Sequence, residues 1–406
     1  MYITISLPFS LLLTTLIIKY RQKYTLAYTW NDSRFPTITE ENMIKFRPTV
    51  STPPSDGRRT FLKGTAAGAA AMTFPAIVRS ASDRKIVGRD PGGPFTPGFA
   101  AAYYDDFKKV TGITAVGVQG DHEPTGLIKA MVDTGTYTWD FALLSKSSHK
   151  VLIDAGYLAP IYGSGGPGPN MSQIPESMRG EFISGNDVYA TLMCYRTDTP
   201  LGKNPPKTWA DFWDVKNFPG VRAMRKHPYD TLEFALMADG VASEDIYPID
   251  ADRAFKSLDR IKPHVDIWWT GGAQTSQLLK TGEIDLTYTW NGRSQVAIDD
   301  GAPVEMVWKG AMWTFEGWSI LNGGPNVDLC RVFVEYAADG ERQAKFTPHV
   351  AYGPTNPNAY KHIDPERAKV LPTNPKYLPH MLAADDVYWG EHKDSLMERF
   401  NSWLLT

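Results

Sequence analysis

The sequence predicts an α/β fold of two lobes, and three observations carry that expectation. The chain has 406 residues, 42% of them hydrophobic, enough for two domains with sizeable cores. Short apolar runs alternate with amphipathic helical stretches, which implies a mostly parallel sheet covered by helices on both faces. Two long strand candidates, 187–196 and 315–321, are placed to cross between lobes as hinges.

The N-terminal region is read first. Arg58-Arg59-Thr60-Phe61-Leu62-Lys63 precedes a soft Ala/Gly-rich stretch, 64–78, and the small residues Ser80, Ala81 and Ser82. Paired arginines, a weakly apolar core and a small-residue exit make a twin-arginine export signal over 58–82. Its core is too weakly apolar to be a good membrane anchor. The mature protein is expected to begin near Asp83, in the periplasm. Residues 1–57 form an extension of two readings. The apolar run 1–18, followed by Lys19, Arg21 and Lys23, is about long enough to span a bilayer. Either it anchors the chain, or the true start is Met43, which sets Arg58 at a normal distance from the initiator; the second reading is favoured.

Of 42 Lys/Arg and 45 Asp/Glu, the first 82 residues hold ten and four, which leaves the body at a net −9. An acidic body argues against nucleic acid or an anionic membrane as partner. It suits a cationic small molecule, although acidity equally keeps a soluble protein dispersed. Cys194 and Cys330 both lie in apolar runs. Buried free thiols are expected, with one disulfide the alternative. No Cys/His cluster has metal-ligand spacing, and no cofactor is expected.

The body opens as strand 85–88, the turn-rich loop Arg89-Asp90-Pro91-Gly92-Gly93-Pro94, helix 98–109 with Phe99, Tyr103 and Phe107 four apart, and strand 113–118. Helix 126–133 and strand 139–144, ending at Ser145, repeat the unit. Ligands bind beyond the carboxyl ends of such strands, so the 90–95 and 145–148 loops share one rim. Thr208 reads as an N-cap for a short helix. A second α/β segment follows: strand 221–224, helices 230–238 and 251–261, strand 265–269, helix 275–281 and strand 284–290. Helix 327–338 and a helical, aromatic end at 379–405 complete the chain.

No catalytic constellation stands out: there is no Gly-x-Ser-x-Gly elbow, phosphate-cradling loop or His-Glu-x-x-His. Asp121-His122-Glu123 is the nearest approach to an acid–base or metal cluster, and on a loop such a trio is more often a solvated surface. The 12 Trp and 19 Tyr are more informative. Several tryptophans stand at strand ends beside polar residues: Trp139-Asp140, Trp268-Trp269-Thr270, Trp290-Asn291-Gly292, and Trp313 close to Glu316. Aromatic faces there suit apolar or cationic solutes, and a carboxylate fixes an ammonium by a charge-assisted hydrogen bond.

Four stretches carry a family resemblance: Phe107-Lys108-Lys109-Val110-Thr111-Gly112-Ile113; Thr208-Trp209-Ala210-Asp211-Phe212-Trp213; Gly282-Glu283-Ile284-Asp285-Leu286 with Thr289-Trp290-Asn291-Gly292; and Tyr352-Gly353-Pro354-Thr355-Asn356. In this order, over nearly all of 85–390, the chain resembles the periplasmic spermidine/putrescine-type solute-binding proteins of ABC importers. The resemblance implies a periplasmic-binding-protein-like bilobal fold of type II, with lobe I at 83–190 plus 316–360 and lobe II at 191–315 plus 361–406. It implies a monomeric, non-catalytic receptor that passes a small amine-bearing, polyamine-like solute to a membrane permease driven by an ATPase. A solute-sensing receptor partner and, more remotely, a periplasmic enzyme on the same fold are the alternatives. By the same resemblance, Trp290 stacks on the ligand's alkyl chain, Glu316 pairs with an amine and Asp230 is a second acidic contact. Ser145 and Tyr352 lie at the rim; Trp313 and Asp90 complete the candidate set. Asp230 could instead cap helix 230–238. Arg89, in the first loop, departs from the family pattern: it would repel a diamine or hold a carboxylate.

Overall fold

The computed structural model describes residues 84–120 and 124–406, and in the N-terminal unit Met1–Ala76 the antiparallel pairing of Ile18–Lys19 with Thr25–Leu26. The apolar run 1–18 (apart from Ile18), the start at Met43, the signal at 58–82 and Asp121-His122-Glu123 lie outside the described residues. The unit Ile77–Thr406 holds the fold discussed below.

Its main strands are β1 Lys85–Asp90, β2 Thr114–Gln119, β3 Phe141–Ser145, β4 Ile183–Arg196, β5 Arg222–Arg225, β6 Ile267–Trp269, β7 Leu286–Trp290 and β8 Val304–Leu321. They lie in the order β6-β5-β7-β4-β8-β3-β1-β2. The outer strands are parallel as expected: β1 with β2 and β3, and β5 with β6 and β7. The centre corrects the expectation of a mostly parallel sheet. There β4 runs antiparallel to β7 and β8, and β8 antiparallel to β3. Two parallel wings are joined through one antiparallel pair, because β4 and β8 travel between the wings in opposite directions.

At about 3.3 Å per residue, β4 and β8 with 14 and 18 residues reach roughly 45 and 60 Å. The sequence pattern shows only the second half of β8. Its register shifts between Val307 and Met312, and Gly310 there has φ +73°. This irregularity breaks the two-residue alternation by which a strand is recognised.

Each wing has its own core. One gathers Phe99, Tyr103, Phe141, Trp318 and Phe333; the other gathers Leu192, Trp209, Phe212, Phe234 and Tyr288. The pair β4–β8 runs through both, giving Val188 and Phe315 to the first and Leu192 and Met312 to the second. The molecule is bilobal, and its two cores meet along these strands.

The helix expected at 98–109 is a composite: an α-turn at Phe95–Phe99, a π-turn at Ala100–Tyr104, then Phe107–Thr111 ended by left-handed Gly112. The π-turn brings both Phe99 and Tyr103 onto Trp318, at 4.9 and 5.7 Å between ring centres. Thr208 caps Trp209–Trp213, and Asp211 completes a reciprocal capping box. Both cysteines are free and buried. The helices α1 Lys146–Asp154, α3 Asn291–Asp299 and Gly340–Phe346 go unpredicted, as does the short Pro365–Ala368. Between the first two lies α2 Pro228–Ala238, and the chain ends in α4 Asp386–Leu405. The Asn291-Gly292 opening of α3 imitates a turn. Gly292 is there for another reason: a Cβ would come within 2.7 Å of the Tyr352 ring.

Trp209 tests the second core. It stacks on Phe234 at 3.7 Å and 13°, and its indole donates to the Gly310 carbonyl at 2.7 Å. Trp209→Ala is expected to cost about 3–5 kcal/mol, read as a lower urea midpoint at unchanged slope.

Candidate functional site

Residues paired across adjacent strands share a face of the sheet. Along β4 and β8, Asp187 is opposite Glu316, Tyr189 opposite Thr314 and Thr191 opposite Met312. One face of the crossing strands is therefore a polar ladder, set where the chain passes from one core to the other. Three more carboxyl groups reach this ladder from lobe II. Thr191 donates to Asp230 at 3.2 Å, and Thr314 donates to Asp386 at 2.8 Å. Tyr247 donates to Glu233 at 2.7 Å and also approaches the Met312 sulfur. Asp187, Asp230, Glu233, Glu316 and Asp386 are all at most 3% exposed.

Burial sets the protonation of this group of acids. It pushes Glu233 up to about 8, against hydrogen bonds from Tyr247 and Trp389. It pushes Asp386 up to about 6, against Thr314, Lys146 and Tyr229. Asp187 is raised well above the usual carboxylate range by burial and then by the Glu316 charge. Asp230 is raised by burial, while Arg225 and Thr191 pull it back.

Asp230 has φ +73° and ψ −46°, the sole positive φ outside glycine among the described residues. Such a backbone costs about 1–3 kcal/mol and persists where its surroundings hold it. Here the holder is Arg225, which closes β5 and binds the carboxylate at 2.5 Å. Asp230 stands just before the regular turns of α2, since Tyr229 and Asp230 have non-helical backbone, and its two carboxylate oxygens take Thr191 and Arg225.

Aromatic rings connect the lobes above the ladder. Ring centres run Phe95 to Tyr352 at 6.0 Å, Tyr352 to Tyr189 at 5.4 Å, Tyr189 to Trp290 at 6.5 Å and Trp290 to Trp269 at 5.9 Å. The Arg225 guanidinium lies 5.1 Å from Trp290 and 5.8 Å from Trp269. Arg293, on α3, is a second cation beside Trp290; both would crowd a Cβ on Gly272. A narrow crevice opens between Pro94, Phe95, His349 and Tyr352 on one side and Gly292 and Arg293 on the other.

The structure thus brings Trp290, Glu316, Asp230 and Tyr352 to one region. Ser145 faces Glu316 across β3–β8, but its hydroxyl accepts the Ser148 amide as the cap of α1. Trp313 falls between Met312 and Thr314 and so belongs to the opposite face of β8. Asp90 accepts the Gly92 amide at 2.7 Å and shapes the first loop. Arg89 is buried between strands and donates to the Leu143 carbonyl. Sequence reasoning missed Asp187, Arg225, Glu233 and Asp386. The two-residue period Asp187, Tyr189, Thr191 was the available signal for the first. The other three depend on the fold, which folds α2 and the start of α4 back over the ladder.

Comparisons with known proteins agree with this architecture. Residues 102–373 match the family model for bacterial extracellular solute-binding proteins. The chain is 32% identical to the gamma-aminobutyric acid-binding protein of Pseudomonas aeruginosa, over 77% of this chain and 88% of that protein. A solved ABC transporter substrate-binding protein from Bradyrhizobium japonicum superposes with a TM-score of 0.75 at 35% identity, covering 79% of this chain and 99% of the other. A structure described as the Atu4243-GABA receptor gives 0.71 at 30% identity, covering 79% and 97%. Periplasmic spermidine/putrescine-binding proteins match more weakly, at 22% identity over 49% of this chain for that of Escherichia coli.

Two outcomes are expected. Arg225→Met leaves Asp230 buried without its cation and should cost about 3–5 kcal/mol at neutral pH. The loss should shrink in acid, as Asp230 takes up a proton; chemical denaturation at pH 5 and pH 8 measures it. Glu233 and Asp386 are both raised above the roughly 4 of exposed carboxyl groups. Between about pH 4 and 8 the folded state then binds more protons than the unfolded one, so their stabilisation declines as pH rises. The melting temperature should fall from pH 5 to pH 8, and Glu233→Gln should flatten the upper part of that slope.

Proposed function

Because the chain belongs to the family of bacterial extracellular solute-binding proteins, we propose that it captures a small solute bearing both an ammonium and a carboxylate group, of the γ-aminobutyrate class, for an ABC importer. The observation that carries this reading is the double sign of the cleft. Buried carboxyl groups line the ladder, while Arg225 and Arg293 flank Trp290. The ammonium end fits Glu316, and the carboxylate end fits the arginines by charge-assisted hydrogen bonds. Tyr189, Tyr352 and Phe95 offer the apolar contact for the carbon chain between them. A polyamine suits this arrangement less well, since the Trp290 ring that would stack on it already has a guanidinium at 5.1 Å.

In this reading the protein is a monomeric, non-catalytic receptor, exported by its twin-arginine signal to the periplasm. Its lobes, 83–190 plus 316–360 and 191–315 plus 361–406, close on the solute by hinge motion. The closed form is handed to a membrane permease coupled to an ATPase. The match to a gamma-aminobutyric acid-binding protein over most of the chain supports the ligand class.

Denaturant unfolding of the mature protein tests it. At 100 times its dissociation constant, γ-aminobutyrate should add about 2.7 kcal/mol, with putrescine adding less at equal concentration. Stabilisation by putrescine and none by γ-aminobutyrate would reverse the choice of ligand.

A further inference from the structure

Glu316 is not alone at its end of the ladder. Asp187 lies directly across β4–β8 from it, and the two share one face. Asp187 is 1% exposed and is firmly placed. Its Oδ2 accepts from the Asn186 amide at 2.8 Å, and Asn186 is in turn held by the Trp318 indole at 2.9 Å. Its Oδ1 is fully buried and has no hydrogen-bond partner among the described residues. The groups acting on it are Glu316 from β8, Tyr103 from the Ala100–Tyr104 turn, Tyr352 from the segment before Gly353–Pro354, and Asn186 beside it. None of them is a cation. A buried carboxylate oxygen with no donor, beside a second carboxylate, is costly in the empty protein. The arrangement is completed by a ligand that brings both positive charge and N–H donors.

We propose that Asp187 is a second specificity-determining carboxylate of the ammonium subsite, acting with Glu316 to select primary ammonium groups over quaternary ones. This rests on the reading of the protein as a receptor for amine-bearing solutes. The chemistry follows from donor count. A primary ammonium has three N–H donors in addition to its charge, enough to reach Asp187 Oδ1 and Glu316 together. A trimethylammonium group has the charge, no donor and a larger radius, so it leaves Oδ1 as it was. The aromatic row alone would not make this distinction, since aromatic faces also take quaternary ammonium.

A proton accounts for the empty state. Burial and the facing Glu316 charge raise Asp187 well above the usual carboxylate range, so an arriving ammonium replaces a proton on Asp187. Binding then releases that proton, and affinity rises with pH over the range in which Asp187 would otherwise be protonated.

Isothermal titration calorimetry on the mature protein decides the matter, with γ-aminobutyrate, its N,N,N-trimethyl derivative and putrescine as probes. Runs in two buffers of different ionisation enthalpy count protons released. Wild type should prefer γ-aminobutyrate to the trimethyl derivative at least tenfold and release a measurable fraction of a proton on binding. Asp187→Asn should lose tenfold or more in γ-aminobutyrate affinity, narrow the preference and abolish the release. The wild-type preference and proton count need no variant, so they decide even if Asp187→Asn folds poorly. Equal affinity for the two γ-aminobutyrate forms, or an Asp187→Asn protein with wild-type affinity and proton release, overturns the role of Asp187 and leaves the receptor reading standing. Wild type that binds neither γ-aminobutyrate nor putrescine overturns both.

Discussion

The antiparallel pairing of β4 with β8 is the constraint on which the rest of the molecule depends. Each strand contributes to one core, leaves it, and enters the other. A strand inside a core can be apolar on both faces, but at the crossing one face has no core to fill. Polar residues occupy that face at alternate positions: Asp187, Tyr189 and Thr191 on one strand, Glu316 and Thr314 on the other. The hydrogen-bonded register keeps these groups opposite each other, since a slip of one residue would turn every one of them to the other side. In the proposed function, binding chemistry and hinge would thus share the same piece of backbone, so that motion of the lobes acts on the groups proposed to hold the solute.

The buried acids make this region expensive to maintain in the empty protein. Two are kept in check by neutral hydrogen-bond donors, with Tyr247 and Trp389 on Glu233 and Thr314 and Tyr229 on Asp386. Asp230 is held by an arginine, and the price is a strained backbone. Asp187 has its neighbouring amide on one oxygen and none of the described donors on the other. Asp187 and Glu233 each keep one buried oxygen with no hydrogen-bond partner among the described residues, and Asp187 also has the Glu316 carboxyl directly across the strands.

Much of this was legible in the sequence. The alternation of elements, the N-cap at Thr208, the free thiols and the two crossing strands follow from local pattern, because caps and strand periodicity are properties of a few neighbouring residues. Trp290, Glu316 and Asp230 came from resemblance, and the fold brings them into one region with Tyr352. What stayed hidden depends on contacts remote in sequence. Asp386 joins Thr314 across 72 positions, and Glu233 meets Trp389 across 156. The antiparallel centre of the sheet was hidden too, because β4 and β8 pair through residues more than a hundred positions apart. Asp90 and Ser145 close the parallel strands β1 and β3, and each uses its side chain to build a turn or a helix start.

Arg225 shows how one side chain can alter what a neighbouring motif means. Read alone, Trp290-Asn291-Gly292 offers an indole face to an alkylammonium chain. In the fold, that indole lies between Tyr189 and Trp269 with the Arg225 guanidinium at 5.1 Å, and Arg225 is itself fixed by Asp230. A cation over an indole is worth about 0.5–2 kcal/mol, so a ligand amine would have to displace one stabilised arrangement to form another like it. A ligand carboxylate instead meets a guanidinium already oriented by the rings and shared with Asp230, with a second arginine, Arg293, close by. In the proposed function, the cation at the Trp290 face is therefore what moves this site from a polyamine towards a zwitterion.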